Sequence, residues 1–166
     1  YSGYPFPATA GLGAIFVWVL KFFHVDDPVL AVNLMSVCLS SLCVGLCYLA
    51  VSQMFHQRIA ILSAILFSVN PVFLAVSVFG NSHVSSMFFL LISIVFLQRY
   101  LLKGKTSQLL ISAVALALMG LSRTQDFVLF SIPTMLLLFI GQRQKKRVRF
   151  GHRFQDVCVF IFIVFC

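Results

Sequence analysis

The sequence predicts an all-α fold, a polytopic bundle of transmembrane helices. Three observations carry this. Residues 29–55 and 59–82 are two runs, nearly consecutive, without a single charge. Each is long enough to cross the roughly 30 Å hydrocarbon core of a bilayer as a helix. The whole chain of 166 residues is 61% hydrophobic, only 10% charged, and has a mean hydropathy of +1.05. Such a composition belongs to membrane proteins, since faces this apolar would aggregate in water.

Taken in order, residues 1–28 read as the end of an outer loop followed by an apolar stretch, 8–25. That stretch carries Lys21 and His24 and has Gly11 and Gly13 near its start. Its apolar length fits either a span or a helix lying along the interface. Asp26-Asp27-Pro28 makes a polar turn, with Pro28 suited to the first helical turn and a neighbouring acid to the cap. Residues 29–55 form the second segment, on which Ser41 and Gly45 make a small-xxx-small pair suited to close helix contact. His56-Gln57-Arg58 connects to a third segment, 59–79, where Asn70-Pro71 predicts a kink or break. Gly80-Asn81-Ser82-His83 is the next turn, and 84–102 the fourth segment, with Arg99 placed to snorkel toward headgroups. Residues 106–122 and 127–142 are two shorter runs separated by Arg123-Thr124-Gln125-Asp126. A basic loop over 141–155 and a cut-off helix over 156–166 close the chain. The bundle, 29–140, thus holds about five spanning helices, with one interfacial helix before it. The chain is expected to be an internal piece of a larger membrane protein, since it begins without Met and stops inside an apolar run.

The net charge of +8 does not point to nucleic acid. Six of the twelve basic residues fall within 143–153, between apolar runs, with no aromatic interleaving or nucleic-acid-binding motif. Membrane lipids are the expected partners of this patch. Alternating the segments puts ten of the twelve bases on one side, leaving Lys21 and Arg123 opposite with Asp26, Asp27 and Asp126. Under the positive-inside rule the side of His56, Lys103 and Arg143 is cytoplasmic, and that of Asp27, His83 and Arg123 is outer. The five cysteines contain no CxxC, and the helix carrying Cys38, Cys43 and Cys47 has no His or acid, so no metal site is expected. Gly104-Lys105-Thr106 lacks the earlier glycine a phosphate-binding loop needs, Arg99 standing in its place.

Arg123 and Asp126 are the sharpest candidates for chemistry. They lie three apart between two short helices at the outer surface. A local ion pair with Asp126 at a helix N-terminus is one sufficient reading. The other gives Arg123 a lipid-linked phosphate, bound through its planar fork of donors. Asn81 and His83, beside the broken third segment, are candidates to line a cavity in the same outer half. Asp26-Asp27 reads as a cap and not as a catalytic pair.

The order of these features resembles the GT-C superfamily of polytopic membrane glycosyltransferases, in particular the dolichyl-phosphate-mannose protein mannosyltransferase-like and aminoarabinose-transferase-like group. Tyr4-Pro5-Phe6-Pro7 and the segment after it resemble that family's Tyr/His-Pro-Pro stretch and short apolar helix. Tyr48-Leu49 through Phe55, then Ala60-Ile61-Leu62-Ser63-Ala64 with Pro71, and the run 116–123 ending at Arg123 are similar to its later motifs. Two departures stand out: the adjacent prolines are split by Phe6, and Gly80-Asn81-Ser82-His83 lacks an acid often found there. The resemblance implies an enzyme that transfers a sugar from a polyprenyl-phosphate-linked donor to an acceptor (lipid, glycan or protein) on the outer side of a bacterial inner or endoplasmic reticulum membrane. It implies an interfacial helix over 8–23 and a lipid-phosphate contact for Arg123. Tyr4, Pro5, Asn81, His83 and Asp126 are then the expected substrate-cavity residues. No cofactor is implied, a divalent cation staying open. The family's catalytic carboxylate belongs to an outer loop that would precede Tyr1, so this stretch alone is expected to be inactive. A transporter or flippase segment is the alternative, and a scaffold subunit a third reading.

Overall fold

The computed structural model describes residues 7–22, 24, 27–78, 82–144 and 160, with side chains through 137 and at 160. Tyr4, Pro5, Asp26 and Asn81, the basic residues beyond Arg143 and the closing run apart from Phe160 lie outside the described residues.

The described chain is helical throughout: α1 (Pro7–Phe22), α2 (Pro28–Ser52), α3 (Gln57–Ser68), α4 (Pro71–Val78), α5 (Ser82–Lys103), α6 (Thr106–Ser122) and α7 (Thr124–Gln144). Helices α2 and α5 are long and apolar enough to cross a membrane, and α3 with α4 form a third such unit bent by 59°. Helices α1 and α6 and the stretch Thr124–Leu137 of α7 are shorter apolar helices. The protein is an α-helical integral membrane bundle.

Local chemistry sets the helix ends. Asp27 caps α2, its Oδ1 accepting from the amides of Val29 at 2.9 Å and Leu30 at 3.3 Å. The break between α3 and α4 is built the same way. Asn70 Oδ1 accepts from Val72 N at 2.9 Å and Phe73 N at 3.2 Å, while Pro71 opens α4 without an amide to satisfy. The expected kink is therefore a full stop followed by a capped restart. Helix α5 ends at Gly104, whose φ of 73° suits a residue with no Cβ, and whose N–H donates to Tyr100 O at 2.7 Å.

The most extensive helix contact joins α5 and α6. Ser93 and Ser112 meet there in full burial. Ser112 Oγ donates to the Ser93 carbonyl at 2.9 Å, which leaves the Ser93 hydroxyl to donate to Ser112 Oγ at 3.0 Å. Small residues permit this approach, and a bond of this kind contributes roughly 0.6 kcal/mol in a membrane. Around it Leu97, Tyr100, Leu109, Leu116, Met119 and Phe160 form the main core. A second cluster joins Met35 and Leu39 of α2 to Val84 of α5, with Leu12 and Phe16 of α1 packed against it.

Three expectations are corrected. The Ser41–Gly45 pair faces outward: a Cβ on Gly45 would meet nothing within 4 Å, and Ser41 Oγ donates to its own helix at Val37 O. The buried face of α2 is instead Ala31, Met35, Ser36, Leu39, Ser40 and Cys43. Helix α5 starts at Ser82, so His83 stands on its first turn and not in a loop. Helix α7 starts at Thr124, which shrinks the four-residue link to Arg123 alone and sets Asp126 in the first turn. A carboxylate there is favoured by the helix dipole, so the acid extends the helix instead of ending it.

Candidate functional site

At one end of the bundle the start of α5, the end of α6 and the start of α7 converge. Arg123 is the hinge between the last two. Its backbone is extended, with φ −158° and ψ 108°. Its N–H closes α6 onto Met119 O at 2.8 Å, and its own carbonyl accepts Phe127 N at 3.1 Å to open α7. One residue thus caps two helices, which fixes where its side chain begins.

That side chain is mostly covered, at 18% exposure. Its Nη1 contacts the His83 ring, with Nε2 at 2.9 Å, and stands 3.7 Å from Asp126 Oδ2. A guanidinium has only donors, so the imidazole accepts through an unprotonated nitrogen. The Asp126 oxygen also accepts from Ser86 Oγ at 2.8 Å, and Ser86 is 2% exposed. The sequence-predicted residues Arg123, His83 and Asp126 are therefore brought together, across forty positions of chain in the case of Arg123 and His83. The contacts of the Arg123 side chain to His83 and toward Asp126 both run through Nη1.

A cavity of roughly 180 Å³ opens beside this cluster, between α4, α5 and α7. His83, Ser86 and Asp126 give it polar groups; Phe73, Val76, Val84, Met87, Leu90 and Phe130 line the rest. Such a cavity accommodates hydrocarbon, while the charged cluster beside it suits a head group with anionic oxygens. Among the described residues no group of three or more His, Cys, Asp or Glu side chains has a geometry that would hold a metal ion.

Ser86 is the member of the site that sequence reading missed. Its one signal was position: three residues after His83, it shares a helix face with it. Phe73 and Val76 reach the cavity only because Asn70-Pro71 turns α4 toward α5, which the break predicted in kind but not in direction.

No curated protein and no solved structure gives a significant match. The sequence model of the dolichyl-phosphate-mannose-protein mannosyltransferase family matches residues 13–166, nearly the entire chain. The match runs through all of α2 to α7. With its apolar helices and their order, this places the chain in the dolichyl-phosphate-mannose-protein mannosyltransferase family of membrane glycosyltransferases.

Proposed function

We propose that this part of the protein binds a polyprenyl-phosphate-linked sugar, dolichyl-phosphate-mannose or a close analogue, and that Arg123 contacts the carrier phosphate. The observation that carries this is the pairing of the Arg123–His83–Asp126 cluster with an apolar cavity at one end of the bundle. The donor is an amphiphile of the same build, a phosphodiester on an isoprenoid chain. In the transfer, the bond between the anomeric carbon and the phosphate oxygen breaks as the acceptor's oxygen or nitrogen attacks. Negative charge gathers on the departing phosphate. A donor group already aimed at that oxygen stabilises the charge without reorganising. The second half of the chemistry, removal of the acceptor's proton by a base, is not assigned to Asp126. Its Oδ2 accepts from Ser86 and faces Arg123, an arrangement suited to balancing the arginine's charge.

The side of the membrane follows from charge. Alternating the segments along the sequence puts ten of the twelve bases on the side opposite Arg123, so by the positive-inside rule the Arg123 cluster faces the lumen or periplasm. Helix α6, with 17 residues, spans only about 26 Å at 1.5 Å per residue. That is shorter than the roughly 30 Å core and draws Arg123 toward the hydrocarbon boundary, where a carrier phosphate would sit. Helix α1 packs through Leu12 and Phe16 on the first half of α2 and the first turn of α5, while Trp18 and Phe22 stay exposed. This supports a helix lying along the outer interface, where such aromatics are enriched.

The bent pair α3–α4 favours a second reading, a transporter whose broken helix lines a pathway. One assay separates the two. Sealed vesicles of each orientation, carrying the intact protein, receive radiolabelled dolichyl-phosphate-mannose and a mixture of membrane acceptors. Label should pass into acceptor, and only when donor reaches the Arg123 face. Movement of intact donor across the membrane without sugar release would establish the transporter instead.

A further inference from the structure

We propose that Ser86 is a positioning residue that holds Asp126 back from Arg123 and so keeps the guanidinium available to the carrier; the proposal rests on the phosphate-binding reading of Arg123. The geometry is unusual for an Arg–Asp pair three apart on adjoining helix ends. Arg123 Nη1 and Asp126 Oδ2 are 3.7 Å apart, beyond hydrogen-bonding range, although both side chains are largely covered. Left to themselves, a guanidinium and a carboxylate close to about 2.8 Å and often bind bidentately. Closed in that way, the carboxylate would occupy the donors a phosphate needs.

What holds the pair apart comes from another helix. Ser86 donates to the same Oδ2 at 2.8 Å, from a buried residue one turn into α5. The hydroxyl has a single proton, and this bond uses it. On the other flank His83 accepts from Arg123 Nη1 and draws the guanidinium away from the carboxylate. Asp126 thus offsets the positive charge of an arginine near the hydrocarbon boundary without filling its fork. Ser86 and His83, one helical turn apart on α5, set the gap from both sides.

The test uses initial rates of sugar transfer by the intact protein across a range of labelled dolichyl-phosphate-mannose concentrations. Ser86→Ala should raise the KM for the carrier roughly five- to tenfold, the effect of losing about one hydrogen bond's worth of restraint. At saturating carrier kcat should hardly change. Ser86→Thr, which keeps the hydroxyl, should restore the wild-type KM. Asp126→Asn added to Ser86→Ala should also lower KM again, since an amide does not compete for the guanidinium as a carboxylate does. A wild-type KM in Ser86→Ala, or a fall in kcat alone, would overturn the proposal, as would no recovery on adding Asp126→Asn. Arg123→Ala in the same assay separates the two levels. If it leaves KM unchanged, the phosphate-binding reading itself fails; if it raises KM while Ser86→Ala is silent, only the role of Ser86 is lost.

Discussion

Arg123→Ala should weaken binding of a polyprenyl phosphate by about 1.5–3 kcal/mol, the range for a hydrogen bond to a charged group. That is roughly a 10- to 150-fold increase in Kd. The helices should stay intact, because what Arg123 gives to the fold comes from its backbone, which caps α6 through Met119 and opens α7 through Phe127. The side chain contributes only its contacts to His83 and Asp126 at the bundle's end. Arg123→Lys should fall between wild type and alanine. It keeps the charge but loses the planar fork that engages two phosphate oxygens at once. Equilibrium binding to protein in lipid nanodiscs reads both variants directly. An alanine variant that binds with wild-type affinity would remove Arg123 from the site.

Gly120→Val should cost transfer activity about 10- to 100-fold, the scale on which a misplacement of about 1 Å acts. A Cβ at position 120 would stand 3.1 Å from both Cγ and Cδ2 of Phe127. Valine adds two methyl groups to that Cβ. The pressure falls on the first turn of α7, and the single-residue link at Arg123 has no slack to absorb it. Phe127 would be pushed off α6 and carry its neighbour Asp126 with it, opening the gap set by Ser86 and His83. Helix content and membrane insertion should survive, since Gly120 lies in the last turn of α6, beyond the Ser93–Ser112 seam. Phe127→Leu, a smaller and more adaptable side chain, should recover part of the loss when combined with Gly120→Val. Rates normalised to inserted protein decide this. Full activity in Gly120→Val would mean that α7 is not held in register by this contact.

Much of the fold was legible because charge is scarce. In a chain with so few ionised residues several mark boundaries: Asp27 caps α2, Lys103 ends α5, and Arg123 divides α6 from α7. Asn70-Pro71 announced a break in the same way, through one residue that caps and one that cannot donate. Facing was much less legible. A helix apolar on all sides has no stripe to say which residues turn inward. The Ser41–Gly45 spacing therefore looked like a contact face, while the buried one ran through Ser36, Ser40 and Cys43.

The site followed the same division. Arg123 and Asp126 stood out as charges at a helix junction, and His83 as a lone imidazole on the same side. Their assembly was not legible, because it depends on α5 starting early enough to carry His83 and Ser86 on one turn. Ser86 sits in Ser82-His83-Val84-Ser85-Ser86, where three serines look alike. Only the packing of α5 against α7 shows which of them reaches Asp126.

On this reading a polyprenyl-phosphate carrier lies with its head at Arg123 and its first isoprene units between α4, α5 and α7. A polyprenyl phosphate bearing a photoreactive group on its first isoprene tests this most directly, with the labelled residues mapped by mass spectrometry. Labelling should fall at Phe73, Met87 and Phe130, be suppressed by excess unlabelled carrier and be lost in Arg123→Ala. Equal labelling of the outward-facing Ile61 and Leu62 of α3, insensitive to competitor, would contradict it.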